Sequence, residues 1–519
     1  MEIKTEAGYT KNIKCADVYT ESAAEYVLPD YLGDVRKILF TSADVRPSGR
    51  FASSGEVEFS GIVVYTVVYL DSDNDISSVE FTSEYDYAVK CSGERYKDSV
   101  ADTRVSNYQI RLIGPRKISA KASLVGSARI CESDSLSIGG DTLSRTDDVE
   151  TSTRTLDIRK TLISASTERE YAEKIAELDG AISDEVRVIY SDAEAEVDSV
   201  EYSDNAVNVK GKIRMSAVIK NADEPAYLAE KIVNFDEHIP FEEADSEMSF
   251  IPVVNVASLR SDVNPDDTGC TVVLSLIIDY CVVAESNEPL EVVVDSYLKS
   301  FECENTYEDF CYSRLADVVH ERFAHTAEIA REEVDSDSLR EIVFLNAIPK
   351  IESVESLARG AKISGEVRYS GIASEVTEDD KVSYVMLKFS SPFSINVNID
   401  CQNCDNLRFE TKISALDATA NMDAEKIYAT ANIDITLVAT EEICERILAS
   451  SHCCEDKPVE RKGSKITVYY PTTTDTLFSI SKKFHTSSAT LAAANSLSES
   501  VFSSGENGTL AGVKKLIIF

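Results

Sequence analysis

The chain has 519 residues, of which 43% are apolar and 28% are charged, the balance of a folded protein with about three or four domains. Acidic residues outnumber basic residues by 91 to 52, and the net charge of −39 argues against binding to nucleic acid or to anionic membranes, because both need a clustered positive surface. Five histidines are few for a hydrolase or metalloenzyme of this length, so the composition favours a scaffold over a catalyst.

Three copies of one module account for most of the chain. Two short sequence segments recur in each copy. The first, which we call the first block, lies at residues 37–43, 187–193 and 341–347, and the second block follows it at residues 55–61, 211–217 and 365–371. The interval from Ala43 to Gly55 is 12 residues, against 18 in the other two copies, which predicts a shorter loop in the first copy. Because the blocks recur in order, we predict homologous modules at 1–153, 154–305 and 306–450.

The second block predicts a β-strand in each module. In the middle copy apolar and polar residues alternate from 207 to 219, which places one face on a core and the other in water. The first copy is apolar on both faces over residues 62–69, which predicts a central strand or a face covered by a neighbouring module. Further strands are predicted at 272–283 and 431–438.

Short helices are predicted before the first blocks, at 31–39, 171–178 and 339–343, from apolar residues at i, i+3, i+4 spacing. The expected fold class is therefore mainly β, with three homologous β-sandwich-like modules that carry short helices. A polar linker at 451–465 leads to a separate small domain at 466–519, which is rich in serine and threonine and nearly neutral.

No basic region followed by an apolar stretch stands at the start of the sequence, and the apolar runs are far shorter than the roughly 20 residues that span a bilayer. We therefore expect a cytosolic protein without a transmembrane segment. The twelve cysteines show no framework spacing, so reduced thiols are expected. Cys401 and Cys404 have zinc-ligand spacing, but the next candidates, His452, Cys453 and Cys454, lie about fifty residues away, and no metal site is predicted.

Other candidate sites have simpler interpretations. Residues 71–75 resemble the start of a calcium loop, but Ile76 and Thr82 replace the glycine and glutamate that such a loop needs, and a solvated hairpin loop is the better interpretation. Three histidines have no serine or cysteine nearby in a nucleophile context, namely His238, His320 and His325. No Gly-rich phosphate loop is present, so neither a catalytic residue nor a cofactor is predicted.

The last domain has a distinctive order of motifs. A strand at 468–470 is followed by a helix start at Asp475 and Thr476, where a short polar side chain can cap free backbone N–H groups. Leu477, Ile480 and Phe484 then predict one buried helical face. A second short helix and a last strand at 516–518 complete the unit.

This order resembles the LysM domain, a βααβ fold that binds N-acetylglucosamine-containing glycans such as peptidoglycan. The resemblance implies a groove between the first strand–helix loop and the loop after the second helix. Matching positions are Asp475, Thr476 and Leu477 on one side and Asn495 and Leu497 on the other. The resemblance implies that these five residues bind a glycan or a partner.

With this tail, the chain resembles the SPOCS-type, LysM-bearing spore-coat morphogenetic proteins of endospore-forming Firmicutes, and residues 114–121 and 392–397 resemble recurring pieces of that module. The resemblance implies a non-enzymatic scaffold in the mother-cell cytosol, at the forespore surface. Its implied partners are the coat-basement morphogenetic ATPase, other spore coat proteins and peptidoglycan. The alternatives are a peptidoglycan-binding cell-wall protein and a glycan-cleaving enzyme, which needs a catalytic carboxylate in a cleft.

Overall fold

The computed structural model describes residues 6–14, 17–53, 55–92, 94–222, 224–265, 267–334, 338–377, 381–400, 406–459, 466–497, 510 and 513–518. Within these ranges the chain forms long antiparallel strands, two short α-helices and three single 3-10 turns. The prediction of a mainly β protein with a small βααβ domain at its end is confirmed.

The first module is a pair of facing sheets that enclose an apolar core. Its strands are β1 (Glu6–Lys14), β2 (Val18–Val27), β3 (Lys37–Ala52), β4 (Glu56–Leu70), β5 (Ile76–Lys90), β6 (Tyr96–Gly114) and β7 (Lys117–Ser137). The meander β3–β4–β5 forms one sheet, and in the other β7 pairs with β1 and β2 on one edge and with β6 on the other. Alternate residues such as Tyr65 and Leu124 fill the space between the sheets.

The second module repeats this arrangement. Its strands are β8 (Val149–Ile163), β9 (Thr167–Asp179), β10 (Val186–Ser203), β11 (Ala206–Asn221), β12 (Tyr227–Pro240), β13 (Ser249–Pro265) and β14 (Gly269–Leu298). The meander β10–β11–β12 forms one sheet, and β14 is the central strand of the other, paired with β8, β9 and β13. The strand predicted at 272–283 is part of β14.

The third module has one strand fewer in its longer sheet. Its strands are β15 (Phe301–Ala330), β16 (Leu339–Leu357), β17 (Gly360–Val376), β18 (Val382–Asn398), β19 (Leu407–Met422) and β20 (Lys426–Pro458). β15 pairs with β20 along its whole length and so takes the place of two successive strands, β8 and β9. The strand predicted at 431–438 is part of β20. We refer to the three modules together as the body.

Three strands extend across the predicted module limits. β8 begins at Val149, so the predicted limit between 153 and 154 lies inside it, and β15 begins at Phe301, before the predicted module start at 306. β20 continues to Pro458, which is still paired with Phe301. Residues 451–458 of the predicted linker therefore belong to a strand.

The short helices predicted within the modules are wrong. Residues 171–178 belong to β9 and residues 339–343 to β16, whereas residues 31–36 form a turn and loop before β3. In β9 a β-bulge at Ile175 changes the face that the following residues present, so apolar residues recur at helix-like intervals within a strand. Two register shifts near the start of β16 have the same effect.

The first block of each module carries the same β-bulge. The bulged residues lie near the starts of β3, β10 and β16 and are Leu39, Ile189 and Val343. Because a bulge turns successive side chains out of strict alternation, each of these residues and the one that follows it are both buried.

The three modules close around a common centre. Phe40, Tyr190 and Phe344 directly follow the three bulges, and their ring centroids lie 5.0, 4.9 and 5.1 Å apart. The apolar cluster around them contains Val68 and Leu70 of β4. Neighbouring modules therefore cover the second apolar face predicted for the first copy, and the body is one closed unit.

A glycine of the second block holds an equivalent place in all three modules. Each glycine lies seven residues before the residue whose strand partner is Phe40, Tyr190 or Phe344. Each glycine is also paired with an aromatic residue on the next strand: Gly61 with Tyr85, Gly211 with Phe235, and Gly365 with Phe393. In the first copy the equivalent residue is thus Gly61 rather than Gly55. Its distance from Ala43 is 18 residues, as in the other copies, and the predicted shorter loop is wrong.

A buried network of charges also joins the modules. Glu285 of β14 is fully buried and accepts hydrogen bonds from Arg129 Nη1 at 2.6 Å, from Arg159 Nε at 2.9 Å and from Thr161 Oγ1 at 2.7 Å. Glu410 of β19 accepts from Arg159 Nη1 at 3.0 Å and also pairs with Arg129. Because Arg129 lies in the first module and Glu410 in the third, the network links all three.

Two carboxylates of β10 line a narrow crevice of about 30 Å³ between the second and third modules. Burial raises the pKa of Glu194, and the charge of Asp192 raises it further, although Arg214 lies 2.9 Å away. Burial also raises the pKa of Asp192, with a further contribution from Asp44. Both carboxyl groups therefore bind protons more tightly in the folded chain than in the unfolded chain.

Because of Asp192 and Glu194, the free energy of unfolding of the body is expected to fall as the pH rises. A carboxyl group with a raised pKa stabilises the fold when it is protonated, and this contribution is lost as the pH rises from about 5 to about 8. Urea denaturation at both pH values measures the effect. Between the lower and the higher pH, the urea midpoint should decrease less for the double variant Asp192→Asn, Glu194→Gln than for the unaltered chain. An equal decrease in both proteins, with exposed Glu328→Gln as the control, would contradict this expectation.

The far halves of the long strands form a second, narrower core. Residues of all three modules meet there, namely Tyr9, Leu136, Leu156, Ile158, Leu290, Val292, Tyr312 and Ile447. On the outer side of this core Cys311 of β15 and Cys444 of β20 are directly opposite each other and form a disulfide, with Cα atoms 4.0 Å apart. The expectation of reduced cysteines is therefore wrong for this pair, because strand register brings together residues 133 positions apart.

The C-terminal domain has the predicted βααβ order. Its elements are β21 (Thr467–Tyr469), α1 (Leu477–Phe484), α2 (Ser488–Ala494) and β22 (Leu516–Ile518). β21 and β22 pair antiparallel. Leu477 and Ile480 are buried against Leu491 and Leu516, with Phe484 at the edge of this core, so the predicted buried helical face is confirmed.

Candidate functional site

The residues predicted to form a groove lie at one end of the helix pair. A short turn joins the end of α1 to the start of α2, so Thr476, before α1, and Asn495, after α2, are at the opposite ends of both helices from this turn. The backbone N–H of Leu510 donates to the carbonyl oxygen of Asp475 at 3.4 Å, which ties the segment after α2 to the start of α1. Leu510, between α2 and β22 in the sequence, is thus bonded to the start of α1.

Asp475 holds the turn between β21 and α1. Its Oδ2 atom accepts hydrogen bonds from the backbone N–H of Thr472 at 2.7 Å and from the hydroxyl of Tyr469 at 3.0 Å. The hydrogen bond from the Thr472 backbone is the main reason why the pKa of Asp475 is lowered. The carboxylate therefore shapes the loop through contacts inside the domain.

Thr476 and Leu477 also have internal roles. The Thr476 hydroxyl accepts from the backbone N–H of Ser479 at 3.1 Å, and the Ser479 hydroxyl accepts from the backbone N–H of Thr476 at 2.9 Å, which is a capping box at the start of α1. Leu477 is buried in the core of the domain, and Leu497 packs against the same core. These residues fix where α1 begins and how it packs.

Asn495 connects α2 to the last strand. Its Nδ2 group donates to the carbonyl oxygens of Leu491 and Ile517, both at 2.8 Å, and its Oδ1 atom accepts from the backbone N–H of Ile517 at 2.6 Å. All the hydrogen-bonding groups of this side chain are therefore engaged inside the domain. Asn495 therefore holds α2 and β22 together, and its predicted role at the groove stays a prediction.

Replacing Asn495 by alanine is expected to destabilise the C-terminal domain by about 2 kcal/mol, because the backbone N–H and carbonyl groups of Ile517 lose their side-chain partner. Amide hydrogen exchange of Ile517 and Leu516 in the full-length chain measures this effect. Ser496→Ala, an exposed neighbour, is the control and should leave exchange unchanged. Unchanged exchange in Asn495→Ala would show that the side chain does not hold β22.

The polar side chains that are exposed at this end of the domain are different ones. They belong to Thr472, Thr473, Thr474 and Ser496, and the hydroxyls of Thr472 and Thr474 lie 3.2 Å apart. Sequence reasoning missed them because it selected positions by family pattern. The signal that points to them is local: they are the short polar residues beside Asp475 and Asn495.

The turn between the helices and one face of α1 rest on the body. Tyr297 of β14 is buried, its ring lies against Phe478 at a centroid distance of 5.3 Å, and its hydroxyl donates to the carbonyl oxygen of Thr486 at 2.7 Å. Lys482 of α1 pairs with Asp295 at 2.6 Å. The docked surface therefore consists of the turn between the helices and one face of α1.

A third contact reinforces this orientation. The ring Nδ1 of His485 lies 2.8 Å from the carbonyl oxygen of Leu298, and its Nε2 lies 3.3 Å from Glu302. His485 has a left-handed backbone, with φ of 48°, and ends α1. Thr472, Thr473, Thr474 and Ser496 stay exposed in the docked domain.

Comparison with known families identifies this domain. Residues 473–501 match the LysM domain family. The chain bears a LysM domain. The match includes both helices of the domain and all five residues predicted for the groove. A LysM domain indicates binding to peptidoglycan or a related glycan.

No curated protein and no solved structure matches the chain. The LysM match does not reach the three modules, so their resemblance to the SPOCS-type spore-coat proteins stays a prediction.

The calcium-like loop is a hairpin turn between β4 and β5, as predicted. The Oδ1 atom of Asp71 accepts from the backbone N–H groups of Asp73 at 2.9 Å and Asp75 at 3.0 Å, and the Asp75 carboxylate pairs with Arg187 of the second module. The carboxylates therefore stabilise the turn and attach it to a neighbouring module.

The cysteine and histidine candidates do not converge. Cys401 and Cys404 lie outside the described residues. Within the described ranges, no three His, Cys, Asp or Glu side chains are grouped so that they could hold a metal ion. His325 is buried between the Tyr369 hydroxyl at 2.8 Å and the Pro392 carbonyl oxygen at 3.2 Å, as a core histidine. In the part of the chain that the structure describes, no helix is long and apolar enough to cross a membrane.

Proposed function

We propose that the protein is a non-enzymatic scaffold in spore-coat assembly and that its LysM domain holds it at the forespore surface. The observation that carries this proposal is the way the LysM domain is attached. Tyr297, Asp295 and Leu298 hold the turn between its helices and one face of α1. The threonines before α1, Thr472 to Thr474, stay exposed. A closed body with a recognition domain held in one orientation suits a protein that connects two other components.

The proposed partners follow from the family resemblance. The LysM domain binds the coat-basement morphogenetic ATPase, peptidoglycan or both, and the body binds other spore coat proteins through strand edges and acidic faces. The proposed location is the mother-cell cytosol, at the forespore surface. The net charge of −39 supports partners with basic surfaces.

Two cavities of the body are small. The crevice at Asp192 and Glu194 measures about 30 Å³, and a second cavity between β1, β14 and β20 measures about 20 Å³. Such volumes hold one or two water molecules. Neither of these two cavities is large enough for a sugar substrate, which needs at least about 300 Å³.

Removing the LysM domain tests the proposal. A fluorescently tagged chain that ends at residue 465 should fold but be distributed throughout the mother cell, because the body keeps its own closed core. The full-length chain with the exposed substitution Glu328→Gln is the control and should encircle the forespore. If the truncated chain also encircles the forespore, the assigned role of the LysM domain is wrong.

A peptidoglycan-binding wall protein is the second candidate, and the LysM match at 473–501 favours it. Sedimentation with insoluble peptidoglycan separates the two. Retention of the purified full-length chain without other proteins, lost in the double variant Thr472→Val, Thr474→Val, supports the wall protein. Retention only when the ATPase is added supports the scaffold.

A further inference from the structure

The disulfide between Cys311 and Cys444 occupies an exposed place. Both cysteines are exposed on the outer side of the ribbon that β15 and β20 form. The other seven described cysteines are half-buried or buried, among them Cys91 and Cys281. Exposed disulfides are the ones that thiols reduce most readily, whereas buried ones resist reduction.

The two strands do not depend on this bond. β15 and β20 are paired from Ala330 opposite Lys426 to Phe301 opposite Pro458, on both sides of the disulfide. Neighbouring side chains on the inner face, such as Tyr312, pack in the apolar core of this region. Opening the disulfide therefore breaks no ladder pair and exposes no core residue.

The charges around the bond differ on its two sides. Arg446 stands two residues after Cys444 on the same face, with its guanidinium 4.4 Å from the ring centre of Tyr307. On the other side, Glu442 accepts a hydrogen bond from Ser313. Asp309 on the Cys311 strand is paired directly opposite Arg446 on the Cys444 strand. A negatively charged thiolate is repelled by Asp309 and attracted by Arg446, which favours attack at Cys444.

We propose that Cys311 and Cys444 form a site of thiol–disulfide exchange that takes up a thiol compound. The thiolate of the compound attacks Cys444 Sγ, a new disulfide forms between the two, and the Cys311–Cys444 bond breaks. Cys311 leaves as a thiolate and takes a proton from water. Attack by Cys311 on the mixed disulfide reverses the step, so no further oxidant or reductant is needed.

Glutathione is a suitable probe for the full-length chain. Peptide mapping without reductant should first show Cys311 linked to Cys444. Reduced glutathione should then open this bond, so that both cysteines are alkylated at least about tenfold faster than Cys281, while the near-ultraviolet circular dichroism stays unchanged. The proposal is overturned if both residues are thiols after purification in air. It is also overturned if, in reduced glutathione, Cys311 and Cys444 are alkylated no faster than the free thiol of Cys281, or if opening of the bond is accompanied by loss of the near-ultraviolet signal.

Single variants test the direction of attack. Cys311→Ser removes the cysteine that expels the bound thiol, so with glutathione disulfide it should accumulate a mixed disulfide at Cys444. The rate should be several-fold higher than at Cys311 in Cys444→Ser and should fall in the double variant Cys311→Ser, Arg446→Gln. Cys91→Ser is the matched control and should not form an adduct at Cys311 or Cys444. Equal rates in both single variants, unaffected by Arg446→Gln, would overturn the assignment of Cys444.

A second arm distinguishes the source of the thiol. A disulfide-linked dimer of a short peptide with one cysteine replaces glutathione disulfide in the same reaction with Cys311→Ser, so that Cys444 attacks the peptide disulfide and one peptide leaves as a thiol. An adduct with both probes assigns the site to protein thiols as well as small ones, and an adduct with glutathione alone assigns it to small thiols. No adduct with either probe overturns the proposal.

Discussion

Replacing Gly211 by alanine is expected to lower the free energy of unfolding by about 3 kcal/mol. A Cβ atom there would overlap the carbonyl oxygen of Glu196 and would lie 2.7 Å from Cζ of Phe235. The carbonyl belongs to β10 and the aromatic ring to the core, so neither can move away without loss of packing. Gly365→Ala should have a similar effect, because its Cβ would lie 2.9 Å from Cε1 of Phe393. Urea denaturation followed by circular dichroism measures both.

Gly55→Ala is the matched control for these substitutions. No atom lies within 4 Å of the place that its Cβ would take, so the change in unfolding free energy should stay within about 0.5 kcal/mol. Gly61→Ala should instead behave like Gly211→Ala, because its Cβ would lie 2.5 Å from the Arg46 carbonyl oxygen. A stable Gly61→Ala together with a destabilised Gly55→Ala would mean that the copies align as the sequence pattern predicts and not as the structure shows.

Replacing Glu285 by alanine is expected to cost about 3–5 kcal/mol of stability. Arg159 is only 5% exposed and would be left in the interior with Glu410 as its remaining partner carboxylate in the network. Thr161 would lose its acceptor as well. Arg129 belongs to the first module and Glu410 to the third. Loss of the Glu285 carboxylate should therefore lower the denaturation midpoint of the whole body and not of one module.

An exposed ion pair provides the comparison. Glu328 and Lys426 lie 2.6 Å apart with half-exposed side chains, and Glu328→Ala should cost less than about 1 kcal/mol. If Glu285→Ala is as mild as Glu328→Ala, the buried network does not hold the modules together. Glu285→Gln keeps the size of the side chain and should be intermediate between the two.

Strands could be predicted from the sequence where one face is buried and the other is exposed to solvent. Residues 207–219 alternate along the sequence, and they lie in β11 with the apolar set in the core of the second module. The pattern fails where a β-bulge interrupts it. The bulge at Ile175 gives β9 the apolar spacing of a helix, and the pairing with β14 that makes it a strand involves residues about a hundred positions away.

The candidate site was predictable as a domain but not as a set of contacts. The order of strand, capped helix, second helix and strand indicated the LysM domain. Asp475 and Thr476 lie directly before α1, and Asn495 directly follows α2. Their side chains nevertheless bond to Thr472, Ser479 and Ile517 inside the domain. Whether a polar group faces a ligand or its own backbone depends on the folded loop, which a pattern of residue types does not describe.

The sequence by itself determined that the chain holds three related β modules and a LysM domain, because repeated blocks, period-two alternation and helix capping are local features. Only the tertiary structure decided how these parts are joined. The meeting of Phe40, Tyr190 and Phe344, the docking of Phe478 on Tyr297, and the disulfide across 133 residues all depend on strand register and on the direction in which bulges turn side chains. Those are properties of paired strands, and no single segment of the chain carries them.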